Sequence, residues 1–328
     1  MNIFVTGSTG FVGGHLVEKL CSQGHNVYAL VRTPSKASFF PKSVTLIKGE
    51  LQTSAPNAWL SQLPDVIDTV IHTAGIVHSF QSAQFYNINA EATRQLIQDF
   101  SNREGLRFIL VSSLAAAGPT TKDKILTETD TENPVSVYGK SKLRAERYLK
   151  ATPASWITAI VRPPMVIGPR DPAILDIFKM VKGRKVVVPG RDGFSNVYSF
   201  ICVLDLVELL SELTHFKGRG EVFFSANEKS HTFEEIVMSI ADELGVGSIS
   251  RIKAPLWLLP SAAKALKIVS QILPINPRLT PDKVHELKAS AWLCSDKKAR
   301  EWLGFKARYN LQETIKITAK DYNDRGVL

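Results

Sequence analysis

Residues 2–13 read Asn2-Ile3-Phe4-Val5-Thr6-Gly7-Ser8-Thr9-Gly10-Phe11-Val12-Gly13 and place a glycine-rich turn behind a short, β-prone run. An apolar pattern from Phe11 to Leu20 then indicates a helix that Gly24 stops. A strand, a glycine turn and a helix in this order are the context in which spaced glycines indicate dinucleotide binding. The stretch therefore predicts the first strand, turn and helix of a dinucleotide-binding fold.

The three glycines have separate roles in that prediction. Gly7 supplies the tight turn, Gly10 lets the backbone approach a pyrophosphate, and Gly13 lets the helix pack on the strand. The N-terminus of the helix offers free N–H groups to the phosphates. The spacing is G-x-x-G-x-x-G rather than G-x-G-x-x-G, and the alternative is a turn with three incidental glycines.

The bulk composition is that of a globular protein long enough for one large or two modest domains. The chain has 328 residues, of which 44% are hydrophobic and 22% charged. Its three cysteines are few and far apart, which indicates a reducing compartment without a disulfide framework or a metal cluster. Because the sequence shows no targeting signal and no run long enough to span a bilayer, we expect a cytoplasmic protein.

The net charge of +9 comes from scattered basic residues rather than from a Lys/Arg block. Nucleic-acid binding is therefore not indicated. The positive balance suits an anionic small molecule such as a phosphorylated cofactor, and a solvated basic surface explains it equally well.

Strand-like and helix-like segments alternate through the first half, which predicts a doubly wound parallel sheet of the Rossmann type. The strands are predicted at residues 2–5, 26–31, 44–47, 69–73, 107–111 and 157–161, and helices at 86–100 and 136–150. The regular alternation of strand-like and helix-like segments ends after Val166, so we expect a smaller C-terminal substrate domain. The division is 1–165 with 197–226 for the cofactor domain, and 166–196 with 227–328 for the substrate domain. Later elements are predicted at 174–181, 186–188, 197–200, 204–213, 221–224, 232–244 and 295–303.

Residues 255–275 form the most apolar stretch of the second half, with Lys264 and Lys267 between the apolar residues. A core helix of the smaller domain is the favoured interpretation, because amphipathic stripes usually face a core. A lid over an apolar substrate and a membrane-surface helix are the alternatives.

The second predicted strand ends in Arg32, with Lys36 shortly after. This position meets the adenosine ribose, where an acidic residue favours NAD and an arginine accommodates the 2′-phosphate of NADP. We therefore expect NADP, with NAD as the alternative. A solvated loop charge is the other explanation for Arg32.

Tyr138 and Lys142 lie four residues apart at the start of a predicted helix, so they share a face. A nearby ammonium lowers the pKa of a phenol, and a phenol so tuned exchanges a proton with a carbonyl or alcohol oxygen. Ser113 ends the preceding strand, at the sheet edge where ligands bind. A solvated surface helix is the alternative, but the glycine turn and the serine favour catalysis.

These motifs together resemble the extended short-chain dehydrogenases/reductases, the group of NAD(P)-dependent epimerases/dehydratases and dihydroflavonol-reductase-like enzymes. The resemblance covers essentially the whole chain. Its motifs are residues 6–13, Gly49-Glu50-Leu51 in place of Gly-Asp-Leu, residues 72–75, residues 88–93, Ser112-Ser113 with Gly118, Tyr138 with Lys142, and residues 162–169.

The resemblance implies Ser113, Tyr138 and Lys142 as catalytic residues and a dimer through the helices at 86–100 and 136–150. It implies cofactor contacts by Gly7, Thr9, Gly10, Phe11, Val12, Gly13, Arg32, Lys36, Glu50, Leu51, Thr73, Ala74, Gly75, Asn89, Val111, Tyr138, Lys142, Pro163, Pro164, Met165 and Val166.

Departures from the family narrow the chemistry. Sugar-nucleotide 4,6-dehydratases carry Asp-Glu where Leu114-Ala115 stands here, and Arg32 argues against epimerases that retain NAD. Residues 114–117 predict a small, apolar wall that suits a less polar ketone than a sugar. His78 and Phe80 are expected on the substrate side, and His72 in the core. An NADP(H)-dependent oxidoreductase is thus favoured over a nucleotide-sugar epimerase using NAD and over a non-catalytic sensor or scaffold.

Overall fold

A seven-stranded parallel sheet forms the centre of the computed structural model, which describes residues 1–272 and 278–328. The strands are β1 (Asn2–Thr6), β2 (Asn26–Val31), β3 (Thr45–Lys48), β4 (Thr69–His72), β5 (Arg107–Val111), β6 (Ile157–Arg162), β7 (Met165–Ile167), β8 (Lys185–Pro189), β9 (Val197–Tyr198), β10 (Phe200–Cys202), β11 (Glu221–Phe224), β12 (His231–Thr232), β13 (Ser250–Ala254) and β14 (Ala291–Trp292).

The helices enclose the sheet and build the smaller C-terminal part. They are α1 (Phe11–Ser22), α2 (Ser82–Phe85), α3 (Ala92–Asp99), α4 (Leu114–Ala117), α5 (Val137–Lys150), α6 (Pro172–Lys182), α7 (Val203–Glu212), α8 (Phe233–Glu243), α9 (Leu259–Ile272), α10 (Pro281–Leu287), α11 (Lys297–Leu303) and α12 (Leu311–Asp324). Among the described residues, none of these helices is long and apolar enough to cross a membrane.

The strand order of the main sheet is β3-β2-β1-β4-β5-β6-β11, and every neighbouring pair is parallel. This is the order of the doubly wound Rossmann fold with β11 added beside β6, as the alternating pattern predicted. Strands β2 and β3 are added on one side of β1 and strands β4 to β6 on the other, so the strand order reverses between β1 and β4, and ligands of such sheets bind at that switch point. The carboxyl ends of β1, β4 and β5 therefore border the predicted cleft.

Separate apolar cores lie on the two faces of the sheet. One includes Leu16 and Leu206, from α1 and α7, and the other includes Leu96 and Leu149, from α3 and α5. A third core joins α6, α8 and α12 around Phe178, beyond the main sheet. Near-complete burial of these side chains removes apolar area from water and accounts for the packing of each layer.

Several segments differ from the sequence prediction. The predicted helix at 86–100 begins earlier, as α2, and a wide π-type turn at Tyr86–Glu91 separates α2 from α3. The predicted strand at 197–200 is two strands, because β9 pairs with β12 and β14 whereas β10 pairs with β7. Helix α12 was not predicted, although Asn310 and Glu313 form a capping box at its start.

The apolar stretch at 255–275 is neither wholly buried nor wholly exposed. Leu259 and Ala263 pack against Val284 of α10, which agrees with a core helix along one edge. Trp257 and Ile268 are exposed, so the core interpretation fails for the other side of the segment. Residues 273–275 lie outside the described residues.

Candidate active site

The glycine turn packs directly against the end of β4. Gly7 has a φ of +68°, and a Cβ atom there would lie 2.5 Å from the backbone nitrogen of Ala74. A Cβ atom on Gly13 would lie 2.2 Å from the carbonyl oxygen of Gly7. Real Cβ atoms do not approach backbone this closely, so side chains at either position would displace the turn. Thr73 stabilises the turn, since its Oγ1 donates to the Thr6 carbonyl over 2.7 Å.

The start of α1 offers an open set of backbone donors. Gly10 is the N-cap residue in extended conformation, and in the described part of the chain no side chain caps it. The first turn, which includes Phe11 and Val12, holds no acidic residue, and Thr9 and Gly10 are exposed. Unpaired N–H groups at a helix start attract phosphate. The turn therefore fits the pyrophosphate of a dinucleotide.

The predicted adenosine residues lie at the carboxyl ends of β2 and β3. Arg32 and Lys36 are exposed just after β2. Glu50 is exposed, and its carbonyl accepts a hydrogen bond of 3.0 Å from the Trp59 indole. Leu51 is partly buried and packs with Trp59. This end of the cleft therefore presents two basic side chains and one acidic side chain around an apolar floor.

Asn89, inside the π-type turn, joins the loop after β4 to α5. Its Oδ1 accepts from the amide of Ile76 over 2.8 Å, and its Nδ2 donates to the Ile76 carbonyl and to Ser141 Oγ, each over 3.0 Å. A Cβ atom on Gly75 would lie 3.0 Å from Asn89 Oδ1 and 3.2 Å from Lys142 Nζ. The side chain thus holds the Gly75 loop close to the predicted catalytic helix, and these contacts occupy its amide group.

The three predicted catalytic side chains come together at the carboxyl end of β5. Ser113 is the N-cap of α4, and its Oγ accepts from the amide of Ala115 over 3.1 Å. Tyr138 and Lys142 occupy successive turns of α5, and Lys142 Nζ donates to the Val111 carbonyl over 2.8 Å. The Ser113 hydroxyl faces the Tyr138 phenol, and the hydrogen bond between them favours a lower pKa of Tyr138.

The sequence prediction for the Tyr138 pKa is wrong in direction. Burial raises the pKa of Tyr138 to about 12, Ser113 opposes the increase, and the negative charge of Glu286 adds to it. The cost of removing a phenolate from water is the largest of these influences. Tyr138 is therefore protonated at neutral pH, which makes it a proton donor.

Lys142 is itself buried, and burial lowers its pKa to about 8 while the Glu146 carboxylate opposes the decrease. Glu146 lies one turn further along α5 and is fully buried. Its oxygens accept from the Ser112 hydroxyl and from Arg162, whose Nη2 is 2.6 Å from Oε2. This buried network fixes α5 against β5 and β6, and sequence analysis missed it. The i, i+4, i+8 series of Tyr138, Lys142 and Glu146 was the available signal.

Helix α10 holds the start of the catalytic helix. The Asp282 carboxylate accepts from the amides of Val137 and Tyr138 over 2.6 and 3.1 Å. Glu286 accepts from the Ser136 hydroxyl over 2.7 Å. Carboxylates at a helix N-terminus satisfy free N–H groups and interact favourably with the helix dipole. Thr280 caps the start of α10 and Pro281 is its first residue, but no local signal identifies the helix that α10 contacts.

The remaining predicted residues line the opposite wall. The amide of Leu114 donates to the Pro163 carbonyl over 2.8 Å, so residues 163–166 run beside Ser113. Pro163 is buried, whereas Pro164, Met165 and Val166 are partly exposed. The segment therefore lies next to Ser113, and its cofactor contacts stay predictions.

Residues 114–117, which the sequence predicted as a small, apolar wall, form the short helix α4. All four are buried, because α4 packs closely on α5. A Cβ atom on Gly139 would lie 2.2 Å from the Ala115 carbonyl, which leaves no room for larger residues. The small side chains are therefore explained by helix packing.

The two histidines near the cleft differ in their surroundings. His72 is buried and lies 2.6 Å from Thr6 Oγ1 and 2.8 Å from Thr93 Oγ1, as expected for a core histidine. Burial and the Lys142 charge lower its pKa to about 3. His78 is partly buried, and burial with the charges of Lys283 and others lowers its pKa to about 4. It therefore lies toward α10, on the predicted substrate side, and is neutral at pH 7.

Known proteins that are similar to this chain include a reductase and epimerases. The ceramide reductase of Caulobacter vibrioides is 31% identical over 245 residues, covering 74% of this chain and 70% of that protein. The UDP-glucose 4-epimerase of Vibrio cholerae is 25% identical and covers 98% of this chain and 95% of its own. The structure of UDP-glucuronic acid 4-epimerase from Bacillus cereus with NAD matches with a TM-score of 0.77 at 19% identity, covering 100% of both chains.

The sequence also matches the model of a protein family. The family model described as "NAD dependent epimerase/dehydratase family" matches residues 3–223, from the first strand through β11. Its span includes the glycine turn, Ser113, Tyr138 and Lys142. The chain therefore belongs to the NAD-dependent epimerase/dehydratase family, as its motifs predicted.

Proposed function

We propose that this protein is an NAD(P)-dependent oxidoreductase that interconverts a ketone and a secondary alcohol through Ser113, Tyr138 and Lys142. One observation carries the proposal. A Tyr138 phenol that is protonated at neutral pH faces the Ser113 hydroxyl, one helical turn from a buried ammonium, at the cleft edge of β5. A dinucleotide bound in the cleft supplies or accepts the hydride.

The side chains then have distinct roles in the reduction of a ketone. Ser113 donates a hydrogen bond that holds the carbonyl oxygen in place. Tyr138 gives its phenolic proton to that oxygen as the negative charge develops. Lys142, fixed by the Val111 carbonyl, places a positive charge where it stabilises the resulting phenolate. In the oxidative direction Tyr138 takes the proton back.

The cofactor preference in this proposal is for NADP(H). Arg32 and Lys36 are exposed where the adenosine ribose would lie, and guanidinium groups bind phosphate with two parallel hydrogen bonds. Glu50, at the end of the neighbouring strand, is the nearest feature that favours NAD instead. We infer that the two basic groups outweigh it.

The substrate proposed is a ketone without a nucleotide group, bound on the side formed by residues 166–196 and 227–328. Leu114-Ala115 follows Ser113, so no carboxylate stands there for a dehydration. The Caulobacter relative is named for the reduction of a lipid, which supports an apolar substrate. The Vibrio relative supports the competing epimerase reading.

The proposal extends to a homodimer through α3 and α5. Arg144 of α5 is exposed and pairs with Glu91 over 2.9 Å, with Tyr86 and Tyr148 beside it. Such a preordered polar and aromatic surface suits a partner subunit. Sedimentation equilibrium of the wild type against Arg144→Glu tests this, and a monomeric wild type would contradict it.

The decisive experiment is a panel of aliphatic ketones and secondary alcohols with NADPH and NADH, repeated with Tyr138→Phe. We expect turnover to fall about 10²- to 10⁴-fold while cofactor binding is retained, because the variant loses only the proton donor. Tyr148→Phe is the matched control, since Tyr148 lies on the same helix but its hydroxyl donates to Glu91 at the surface.

Two outcomes would overturn the proposal. Unchanged turnover by Tyr138→Phe would remove Tyr138 from the chemistry. Conversion of UDP-glucose to UDP-galactose with added NAD, without activity on any ketone, would favour the epimerase reading.

A further inference from the structure

Large apolar side chains are exposed together on the outer side of the C-terminal part, at the turn before α9 and along α9. Trp257 is 75% exposed and Ile268 is 60% exposed. We call this set the α9 surface; its residues are Leu256, Trp257, Leu258, Ile268 and Val269. Exposed groups of this kind mark interaction sites more often than isolated apolar residues do.

The geometry of α9 explains why these side chains do not reach a core. Leu259 and Ala263, four residues apart, bury one face of the helix against Leu279 and Val284. Ile268 follows Leu259 by nine residues, which at roughly 100° per residue places it on the opposite face. Apolar side chains thus lie on both sides of α9. The described residues cover the side of Leu259 and Ala263 and leave Ile268 exposed.

The neighbouring β8–β13 pair extends the α9 surface. Val187 and Ile252 are register partners and are both exposed. Because register partners project to the same side of a sheet, Val187 and Ile252 form a small apolar patch on this strand pair, ahead of the turn that follows β13. Exposed apolar side chains are thus found on the strand pair, on the turn that follows β13 and on α9.

The segment that carries this surface has charged residues of one sign only. The sequence between Glu243 and Asp282 contains five basic residues and no acidic residue, the basic ones being Arg251, Lys253, Lys264, Lys267 and Arg278. Arg251 pairs with Glu234 over 2.7 Å, and Arg278 pairs with Asp176. Lys253 and Lys264 are exposed, so they add positive charge to the segment that carries Trp257.

Apolar side chains combined with lysines are the chemistry that an anionic lipid surface recognises. Tryptophan favours the boundary between headgroups and acyl chains, and lysines nearby bind acidic headgroups. We propose that the α9 surface docks on a bilayer that contains anionic phospholipid, with Trp257 inserted at its interface. No part of the helix spans the bilayer in this arrangement.

Docking there would bring the active site close to the lipid. Helix α9 packs on α10, and Asp282 of α10 holds the amide of Tyr138 over 3.1 Å. One helix therefore separates the docked surface from the start of the catalytic helix. This consequence rests on the proposed function, whereas docking itself does not.

The test is flotation of the full chain with vesicles of phosphatidylcholine that contain about 30% phosphatidylglycerol, compared with vesicles of phosphatidylcholine alone. We expect binding to the anionic vesicles that Trp257→Ala weakens at least about tenfold. Lys253→Gln with Lys264→Gln should weaken it about 30-fold, the effect of two charges at the surface.

Matched controls separate docking from general adhesion of a basic protein. Trp302→Ala removes a ring that is 57% exposed on α11, and Lys316→Gln with Lys320→Gln removes two exposed charges from α12. Equal loss of binding in controls and test variants, or a wild type that does not float with anionic vesicles, would overturn the proposal.

A second copy of the chain is the other occupant that the experiment detects. Sedimentation velocity without lipid should give the same mass for the wild type and Trp257→Ala. A lower mass for the variant would show that the α9 surface covers another subunit and would overturn membrane docking. Because flotation needs neither cofactor nor substrate, a protein that floats but lacks ketone reductase activity would leave this proposal standing and refute only the proposed function.

Discussion

Arg162 and Glu146 form a two-point ion pair in the interior, with Nε–Oε1 and Nη2–Oε2 distances of 2.9 and 2.6 Å. Both side chains are almost completely buried. A buried pair of this kind is costly to break, because the remaining charge stays in a medium of low polarity. The pair links α5, which carries Tyr138 and Lys142, to the end of β6.

Removal of the carboxylate should therefore destabilise the fold. We expect Glu146→Ala to lower the free energy of unfolding by about 3–5 kcal/mol, measured by urea denaturation. Glu132, a partly exposed carboxylate 2.9 Å from Arg162, still pairs with the arginine in this variant, so we expect a loss toward the lower end of this range. Glu208→Ala is the control, since Glu208 pairs with Lys19 at a partly exposed site and should cost about 1 kcal/mol or less. Equal losses in the two variants would contradict the assignment.

Adjacent glycines of α1 should respond differently to alanine. A Cβ atom on Gly13 meets the Gly7 carbonyl at 2.2 Å, whereas one on Gly14 meets the Phe39 ring at 3.3 Å. We expect Gly13→Ala to cost about 2 kcal/mol or more and to abolish cofactor binding, because the turn must move. Gly14→Ala should stay within about 1 kcal/mol of the wild type, since a helical Gly→Ala gain offsets a small ring shift. Thermal unfolding and cofactor fluorescence titration measure both, and tight cofactor binding by Gly13→Ala would contradict the turn geometry.

Acid should destabilise the protein through His72. Burial lowers the pKa of His72 to about 3 in the folded protein, whereas an unfolded histidine titrates near 6.5. The unfolded chain therefore binds the extra proton first, so stability is highest above pH 6.5 and falls as the pH drops. We expect a loss of about 3 kcal/mol between pH 6.5 and pH 4 from this residue.

Denaturation across this pH range in His72→Gln tests that assignment. The amide of glutamine still bonds the two threonines but does not titrate, so its stability should depend less on pH. His215→Gln, at an exposed histidine, should follow the wild type. Parallel curves for the wild type and His72→Gln would show that another group dominates.

Arg32 should decide between the two dinucleotides. We expect Arg32→Asp to reduce the preference for NADPH over NADH at least about tenfold, because it replaces a phosphate partner with an acceptor for the ribose hydroxyl. Lys36→Gln should have a smaller effect in the same direction. Dissociation constants for both dinucleotides measure the change, and an unaltered ratio in Arg32→Asp would move the 2′-phosphate contact elsewhere.

The sequence by itself determined the features that depend on near neighbours along the chain. Strand alternation, the spacing of Gly7, Gly10 and Gly13, and the four-residue separation of Tyr138 and Lys142 are local patterns. Each predicts its element because helix and strand geometry fixes which residues share a face. The doubly wound parallel sheet and the family followed from these patterns, and the structure and the comparisons confirm both.

Only the tertiary structure decided the features that depend on distant residues. The Asp282 contact to Tyr138 joins positions 144 residues apart, and no local pattern specifies such a partner. The pKa of Tyr138 rises because surrounding elements remove water, which the sequence does not reveal. The burial of residues 114–117 and the exposure of α9 likewise depend on how helices pack. Desolvation and packing are properties of the assembled chain, so they corrected the predictions that spacing alone had supported.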